Sequence, residues 1–496
     1  MPMHSSAPSF VLKPLVREIH ADTETPVSVY LKLQRPFSCL LESVEGEDFL
    51  ARFSYIAIDP VAVLRGSVGR DMSMEICNER FARLKSIVSE APGLREAIDR
   101  CLAEFDTLDL PESGSVGSRM STSGVFGCFS YDAMHLVEKI PESAGSSPAD
   151  MDDVILLFCD TLVVFDNIKR KVFIITNYLD EGDRPQAEKR LDLIAGQMLR
   201  PLGSDEVLLK PEKPERVCSN TVREEYLAKV VRAKEYIFSG DIFQVQVSQR
   251  LRRPLNTRPF DVYRMLRTIN PSPYLYYFEL SEVQIVGSSP ELLVKVERDE
   301  QGRRIVETRP IAGTRKRGSS PEEDRQRADE LLRDEKERAE HLMLIDLSRN
   351  DIGRIARVGT VETNEMMVIE KYSHVMHLVS NVRGELKDDL GVMDAFWSCF
   401  PAGTLTGAPK VRAMEIIAEL EREKRGLYGG AVGYMDFRGN LKTAIAIRTM
   451  IVHNGTIYFQ AAGGIVADSK PESEYEETMN KMKAGLAALE HIEVSA

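Results

Sequence analysis

The chain has 496 residues, of which 43% are hydrophobic and 28% charged, a globular balance that excludes a disordered, collagen-like or disulfide-held chain. At roughly 150 residues per domain, the length points to about three domains or two large ones. With 64 Lys plus Arg against 77 Asp plus Glu, the net charge is −13, which excludes the basic surface that binding nucleic acid or an anionic membrane requires.

The longest apolar run, residues 154–164, is interrupted by Asp160 and falls far short of the ~20 residues that cross a bilayer. No basic stretch leads into an apolar one at the N-terminus, so no secretion signal is expected. Seven cysteines lie far apart (Cys39, Cys77, Cys101, Cys128, Cys159, Cys218 and Cys399), without a C-x-x-C pair. Such an odd, scattered set predicts reduced thiols in the cytoplasm rather than a disulfide framework or a zinc site.

In chain order, residues 111–124 and 141–150 are rich in Ser, Gly and Pro and read as surface loops, with a short strand and turn over 125–137 between them. Residues 201–220 hold three prolines and mixed charge, and there the boundary is placed between an N-terminal region, 1–205, and a C-terminal region, 221–496. Helices are predicted over 222–238, 321–347, 410–421 and 471–490. The second has a good start: Ser320-Pro321-Glu322-Glu323 supplies a cap, a first-position Pro and an acidic third residue. Strands are predicted over 274–280, 283–288, 292–298 and 304–308, then over 430–437, 441–453 and 456–462. Arg438-Gly439-Asn440 and Asn454-Gly455 are hairpin turns. Connections this short leave no room for helical crossovers, so the class is α+β with antiparallel sheets packed against helices.

Several residues could carry chemistry. Glu337 and Glu340, and likewise Glu474 and Glu477, are spaced i,i+3 on predicted helices, which puts each pair on one helix face. Carboxylates without thiols suit a hard cation such as Mg²⁺, which takes one or two of them plus water and substrate oxygens. A solvated charged face is the plainer reading of either pair alone. Arg448 stands in mid-strand beside Ile445, Ile447 and Ile451; it is either an internal ion pair or a fork for a substrate carboxylate. Small-residue loops at 310–314, 401–409 and 461–464 let backbone approach a ligand, though a tight turn is the plainer reading of any one alone. Histidine is scarce, so His341, His374 and His377 stand out, and His377 in its alternating strand is either a satisfied core residue or an acid–base group.

Together and in order, these segments resemble the chorismate-utilising enzymes. The resemblance covers most of 222–488, through Phe243-Gln244-Val245, Ser289-Pro290-Glu291, residues 310–315, the run Glu340-His341-Leu342-Met343-Leu344-Ile345-Asp346-Leu347-Ser348-Arg349-Asn350-Asp351, residues 401–410 and Tyr475-Glu476-Glu477-Thr478. In the N-terminal region it rests on Leu40-Leu41-Glu42-Ser43 and Arg52-Phe53-Ser54.

The resemblance implies chorismate as substrate and the parts that handle it. Glu340 and Glu477 would ligate Mg²⁺, with Glu337 and Glu474 in support. The amides of Ala462, Gly463 and Gly464 would hold the ring carboxylate; Ala462 departs from the glycine common there. Arg448 and Tyr428 would hold the enolpyruvyl carboxylate, with Lys481 nearby, while Gly313 and Thr314 line the ring. Glu291 would protonate the departing hydroxyl, so its pKa should be raised; His377 and Thr404 would serve elimination or position the substrate. Gln244 stands where water-adding members look to carry a lysine base, and Ala312 where aminodeoxychorismate synthases carry a nucleophilic lysine. Both point to the ammonia-adding, anthranilate-forming branch. The isochorismate- and aminodeoxychorismate-forming branches are the nearest alternatives, and a non-catalytic tryptophan sensor on the same scaffold is the alternative of another class.

No nucleophile elbow with Cys and no Cys-His-Glu order like that of a class I glutaminase is present. The resemblance therefore implies a separate glutamine amidotransferase subunit as ammonia source, in a hetero-oligomer of two large and two small subunits. It also implies feedback inhibition by L-tryptophan, bound by Leu41, Glu42, Ser43, Arg52, Pro273, Tyr274, Leu275 and Tyr434.

Overall fold

The computed structural model describes residues 7–20, 22–43, 52–109 and 120–495, apart from 142, 144, 146, 211, 212, 214, 373 and 374; His374 thus lies outside the described residues. Two large sheets carry the fold, one of 13 strands and one of 11 among the described residues. Nearly every pairing is antiparallel, Phe10–Ile19 with Phe105–Thr107 being parallel.

Both sheets are assembled from distant parts of the chain. In the larger, Ser38–Glu42 joins Tyr274–Leu280, with Leu41 opposite Tyr276. In the smaller, Gly124–Phe129 joins Ala431–Asp436, with Phe126 opposite Tyr434. The first of these seams brings the Leu40 to Ser43 segment against the strand pair that leads to Glu291, because Tyr274–Leu280 is hairpinned to Val283–Ser289.

Strand alternation determines what each face buries. Tyr276, Phe278 and Leu280 point into the space between the sheets, where they meet Phe126, Cys128, Leu157 and Val432 of the smaller sheet. Leu275 and Tyr277, on the other face, pack beneath the helices Pro26–Leu33, Arg184–Leu199, Pro259–Ile269 and Pro471–Ser495. The smaller sheet's outer face is covered by Arg83–Glu90, Leu94–Ala103, Glu335–Ile355 and Val392–Cys399. The result is four layers, helix–sheet–sheet–helix, with burial worth roughly 1.5–3 kcal/mol for each large apolar side chain removed from water.

Two predicted elements are each divided in the structure. The helix expected over 321–347 is two, Pro321–Arg333 and Glu335–Ile355. Asp334 breaks it, because its carboxylate accepts from the Lys336 and Glu337 amides and starts a new helix. The strand expected over 441–453 is also two, Leu441–Ile445 and Thr449–His453, since Arg448 adopts φ +49° between them. Other expectations keep their places. Ser320 caps its helix by accepting from Glu323 N at 3.2 Å, and Asn454 and Gly455 take φ of 47° and 68° in a tight hairpin.

Candidate active site

Glu291 is anchored by its backbone where two strand ends meet. Its N–H donates to Ser289 Oγ at 3.3 Å, Ser289 Oγ donates to Ile445 O at 2.7 Å, and Ile445 N–H donates to Glu291 O at 3.0 Å. Its carboxyl is 7% exposed and accepts one hydrogen bond, from Thr404 Oγ1 at 2.9 Å. Loss of water pushes its pKa up to about 7, against the opposing pull of the Thr404 hydroxyl and the Arg448 and Lys481 charges. A carboxyl so placed carries a proton at neutral pH that it can give away.

Thr404 is delivered by the short helix Gly403–Thr406. Arg448 reaches the site because its left-handed backbone ends one strand and turns its side chain out of the sheet's alternation. Burial lowers the Arg448 pKa, while Glu291 and Tyr372 sustain its charge.

His377 lies on Val375–Glu385, its Nδ1 at 2.9 Å from Gly313 O and 3.1 Å from Thr314 Oγ1. A carbonyl only accepts, so Nδ1 bears the hydrogen and Nε2 is left as a basic lone pair. Burial lowers the pKa and keeps the ring neutral, and the Arg448 charge acts in the same sense. Gly313 takes φ +63°, and a side chain there would meet Leu331 Cδ1 at 2.8 Å, so this turn needs glycine.

The two acidic pairs face one another across helices from different parts of the chain. Glu340 accepts from Gln244 Nε2 at 3.0 Å. Burial raises its pKa, and Glu337 and Glu477 push it further. Burial likewise raises Glu474, with Glu477 adding to it, and Glu474 Oε2 is buried without a hydrogen-bond partner among the described residues. A Cβ on Gly463 would lie 3.0 Å from that oxygen. Glu477 pairs with Lys481 Nζ at 2.7 Å, and Lys481 also donates to Ala462 O at 2.9 Å. Glu337 is held by Arg315 at 3.2 Å. No group of three or more His, Cys, Asp or Glu side chains is gathered as a ready-made metal cage among the described residues. Mutually repelling carboxylates with an orphaned buried oxygen nonetheless fit a hard cation that takes few protein ligands.

Tyr428 is buried beside the Ala462 backbone. Burial raises its phenol pKa, opposed by Arg425 and by a bond from the Ala462 backbone. Ala312 and Thr314 lie on Ile311–Lys316, opposite Leu378 and His377. The expected residues therefore include a buried carboxyl (Glu291), a neutral imidazole (His377), a guanidinium (Arg448) and a cluster of carboxylates. Tyr372, whose ring centroid is 5.6 Å from that of His377, was not foreseen, since nothing in the sequence ties it to the site.

A separate cavity of about 160 Å³ lies between the sheets. Leu41, Glu42, Ser43, Arg52, Tyr274, Leu275 and Tyr434 all line it. Pro273, also expected there, is not among the lining residues; its carbonyl lies behind Ser43 and accepts from Ser43 Oγ at 3.1 Å. Glu42 is already engaged by the Tyr263 hydroxyl and by Arg267 Nε at 3.0 Å, and Arg52 by Asp166 at 2.8 Å. Lys295, Glu297 and Lys442 also line the cavity and were missed. Each is the polar member of an alternating strand, a pattern that reads as a solvent-facing side. Burial lowers Lys442 to about 8, against the pull of Glu297. Lys295 and Glu297 share the strand Leu292–Arg298, which begins next to Glu291.

These features are those of a chorismate-binding enzyme, and the chain belongs to that family: its family model, described as chorismate binding enzyme, matches residues 51–487. Among curated relatives, anthranilate synthase component 1 of Acetivibrio thermocellus is 44% identical, over 98% of this chain and 96% of its own. That of Aquifex aeolicus is 42% identical, over 97% and 95%. The crystal structure of anthranilate synthase component I from Streptococcus pneumoniae superposes with a TM-score of 0.73 at 35% identity, covering 95% of this chain and 99% of that one. The menaquinone-specific isochorismate synthase of Escherichia coli, at 16% identity and a TM-score of 0.69 over 98% and 96%, shares the fold.

Proposed function

We propose that this chain converts chorismate and ammonia to anthranilate and pyruvate, a reading supported by its relatives named anthranilate synthase component 1. The observation that carries the reading is the buried Glu291 carboxyl, protonated near neutrality and fixed by Thr404, in a site where Gln244 and Ala312 offer no amine. Arg448 and Tyr428 hold the enolpyruvyl carboxylate, Lys481 lies nearby, and the backbone of Ala462, Gly463 and Gly464 receives the ring carboxylate. Gly313 and Thr314 border the ring.

Hydroxide is a poor leaving group, so Glu291 gives it a proton as the ring C4–O bond breaks. Ammonia adds at ring position two, Gln244 leaving room for it. His377 Nε2 is the free lone pair available to take the proton from that carbon as pyruvate departs, and aromatisation drives the step. Glu340 and Glu477, with Glu337 and Glu474 in support, would hold Mg²⁺, which when bound would draw charge from the conjugated ring carboxylate.

The ammonia would come from a glutamine amidotransferase subunit, in an assembly of two large and two small chains. The cavity between the sheets would bind L-tryptophan. It is lined by the segment before residue 44 and by Lys295 and Glu297 of the strand that begins next to Glu291, a route by which occupancy there would be coupled to the acid's position. Free, mostly buried cysteines support a cytoplasmic setting, and no helix among the described residues is long and apolar enough to cross a membrane.

The deciding experiment incubates the purified chain with chorismate, MgCl₂ and an ammonium salt, with and without tryptophan. The reading requires fluorescent anthranilate whose formation tryptophan suppresses. Isochorismate or aminodeoxychorismate as end product, or tryptophan binding with no turnover, would refute it.

A further inference from the structure

A cavity of about 40 Å³ opens beside Glu291 and is not used by the reaction described above. Its polar lining consists of Glu291, Thr404, Thr308, Ser348, Asp351 and the buried thiol of Cys399, set among leucines, other apolar residues and backbone. Two of these groups are unsatisfied. Thr308 Oγ1 and Asp351 Oδ1 are buried with no hydrogen-bond partner among the described residues, on side chains only 6% and 5% exposed. The other Asp351 oxygen accepts from Lys410 Nζ at 2.7 Å. Ser348 is half-buried, so the space reaches toward solvent on its side. At roughly 10–15 Å³ of such space per molecule, the cavity has room for two or three waters, and orphaned hydroxyl and carboxylate oxygens are what buried waters bind.

Glu291 loses its proton in every turnover and is too enclosed to recover it directly from bulk water. We propose that this cavity is a proton path, in which Thr308 Oγ1 and Asp351 Oδ1 hold the waters that return a proton from solvent to Glu291. The proposal rests on Glu291 being the proton donor. In the first half, the Glu291 O–H bond breaks, an O–H bond forms on the departing hydroxide, and water leaves. In the second, the carboxylate takes a proton from the adjacent water, and each water passes one along from the Ser348 side. Nothing is oxidised or reduced, and the proton drawn in balances the one released by the added ammonia nitrogen. Arg448 and Lys481 face Glu291, while Lys410 and Arg354 face Asp351. Thr308 and Asp351 are thus positioning residues that act through water.

The test uses the full-length chain with chorismate, MgCl₂ and ammonium chloride, following anthranilate fluorescence. Thr308→Val keeps the shape and removes the hydroxyl. It should lower kcat by about fivefold or more, enlarge the solvent deuterium isotope effect and move the alkaline limb of the kcat profile to lower pH. The KM values for chorismate and ammonium should stay within about twofold. Thr308→Ser, which restores the hydroxyl but not the methyl packing, should recover kcat. Wild-type kcat, pH profile and isotope effect in Thr308→Val would overturn the path. So would a loss confined to the KM for ammonium, which would make the cavity a passage for ammonia instead. Glu291→Gln separates the two readings. Its inactivity beside an unaffected Thr308→Val removes only the path, whereas wild-type turnover in Glu291→Gln removes the proton donor itself.

Discussion

The Thr404 hydroxyl donates to Glu291 Oε1 over 2.9 Å, the sole hydrogen bond to that buried carboxyl among the described residues. A donor of this kind stabilises the ionised form, so it holds the Glu291 pKa down while burial holds it up. With Glu291 as the proposed proton donor the protonated form is the active one, and kcat/KM should fall as pH rises through about 7. Thr404→Val removes the donor, and the alkaline limb of its kcat/KM profile should move to higher pH. A limb that stays in place or moves to lower pH counts against Glu291 as the acid.

Stability provides a readout independent of turnover. The Glu291 pKa is higher in the folded chain, about 7, than the ordinary carboxyl value of 4.5. The unfolded chain therefore loses its proton first, and the folded state is progressively penalised between about pH 4.5 and 7, with the full penalty above that window. At 1.36 kcal/mol per pKa unit the full penalty is roughly 3 kcal/mol. Glu291→Gln should therefore melt higher than wild type at pH 8, with the gap closing by pH 4.5, as calorimetry across that range can show. In the same variant, turnover should drop by roughly 10²–10⁴, the typical contribution of a general acid.

Glu477 and Lys481 form a pair whose side chains are 49% and 44% exposed, so the pair adds little to stability. Glu477→Gln should accordingly leave the unfolding free energy unchanged to within about 0.5 kcal/mol. Turnover should fall and the Mg²⁺ concentration for half-maximal activity should rise by about 10-fold or more. Titration of activity with MgCl₂ after chelator treatment measures both. An unaltered Mg²⁺ response would remove Glu477 from the metal's ligands.

Ser43 is 8% exposed and tied to Pro273 O, so a larger side chain has to enter the cavity. Ser43→Phe should keep wild-type kcat in the absence of tryptophan and lose inhibition by it. Lys442→Met should weaken inhibition without filling the space. Wild-type inhibition curves in both variants would exclude this cavity as the regulatory site.

Much of the C-terminal architecture was legible because its signals are local. The Ser320 cap, the Asn454-Gly455 turn and the alternating strands each involve neighbours in sequence. The break at Arg448 was not, since a left-handed non-glycine backbone leaves no mark on composition and is imposed by its surroundings. Nor was the division at Asp334, where one carboxylate competes with an otherwise continuous helical pattern. The acidic pairs were visible as spacings, but their meeting depends on packing between helices that the sequence does not order. Lys295 and Lys442 were overlooked for a related reason. In a strand lined by valines, a lysine reads as the solvent side, whereas here the opposing sheet roofs over that side.

The two seams, Ser38–Glu42 with Tyr274–Leu280 and Gly124–Phe129 with Ala431–Asp436, set a schedule for biogenesis. Each sheet emerges from the ribosome as a half whose bare edge must wait more than two hundred residues for its complement, judging by the spacing of the paired strands. An uncovered edge is an invitation to aggregate. Nascent chains should therefore lean on chaperones until the last third is made, and fragments ending before Tyr274 should be insoluble on their own yet recoverable when the missing portion is co-expressed.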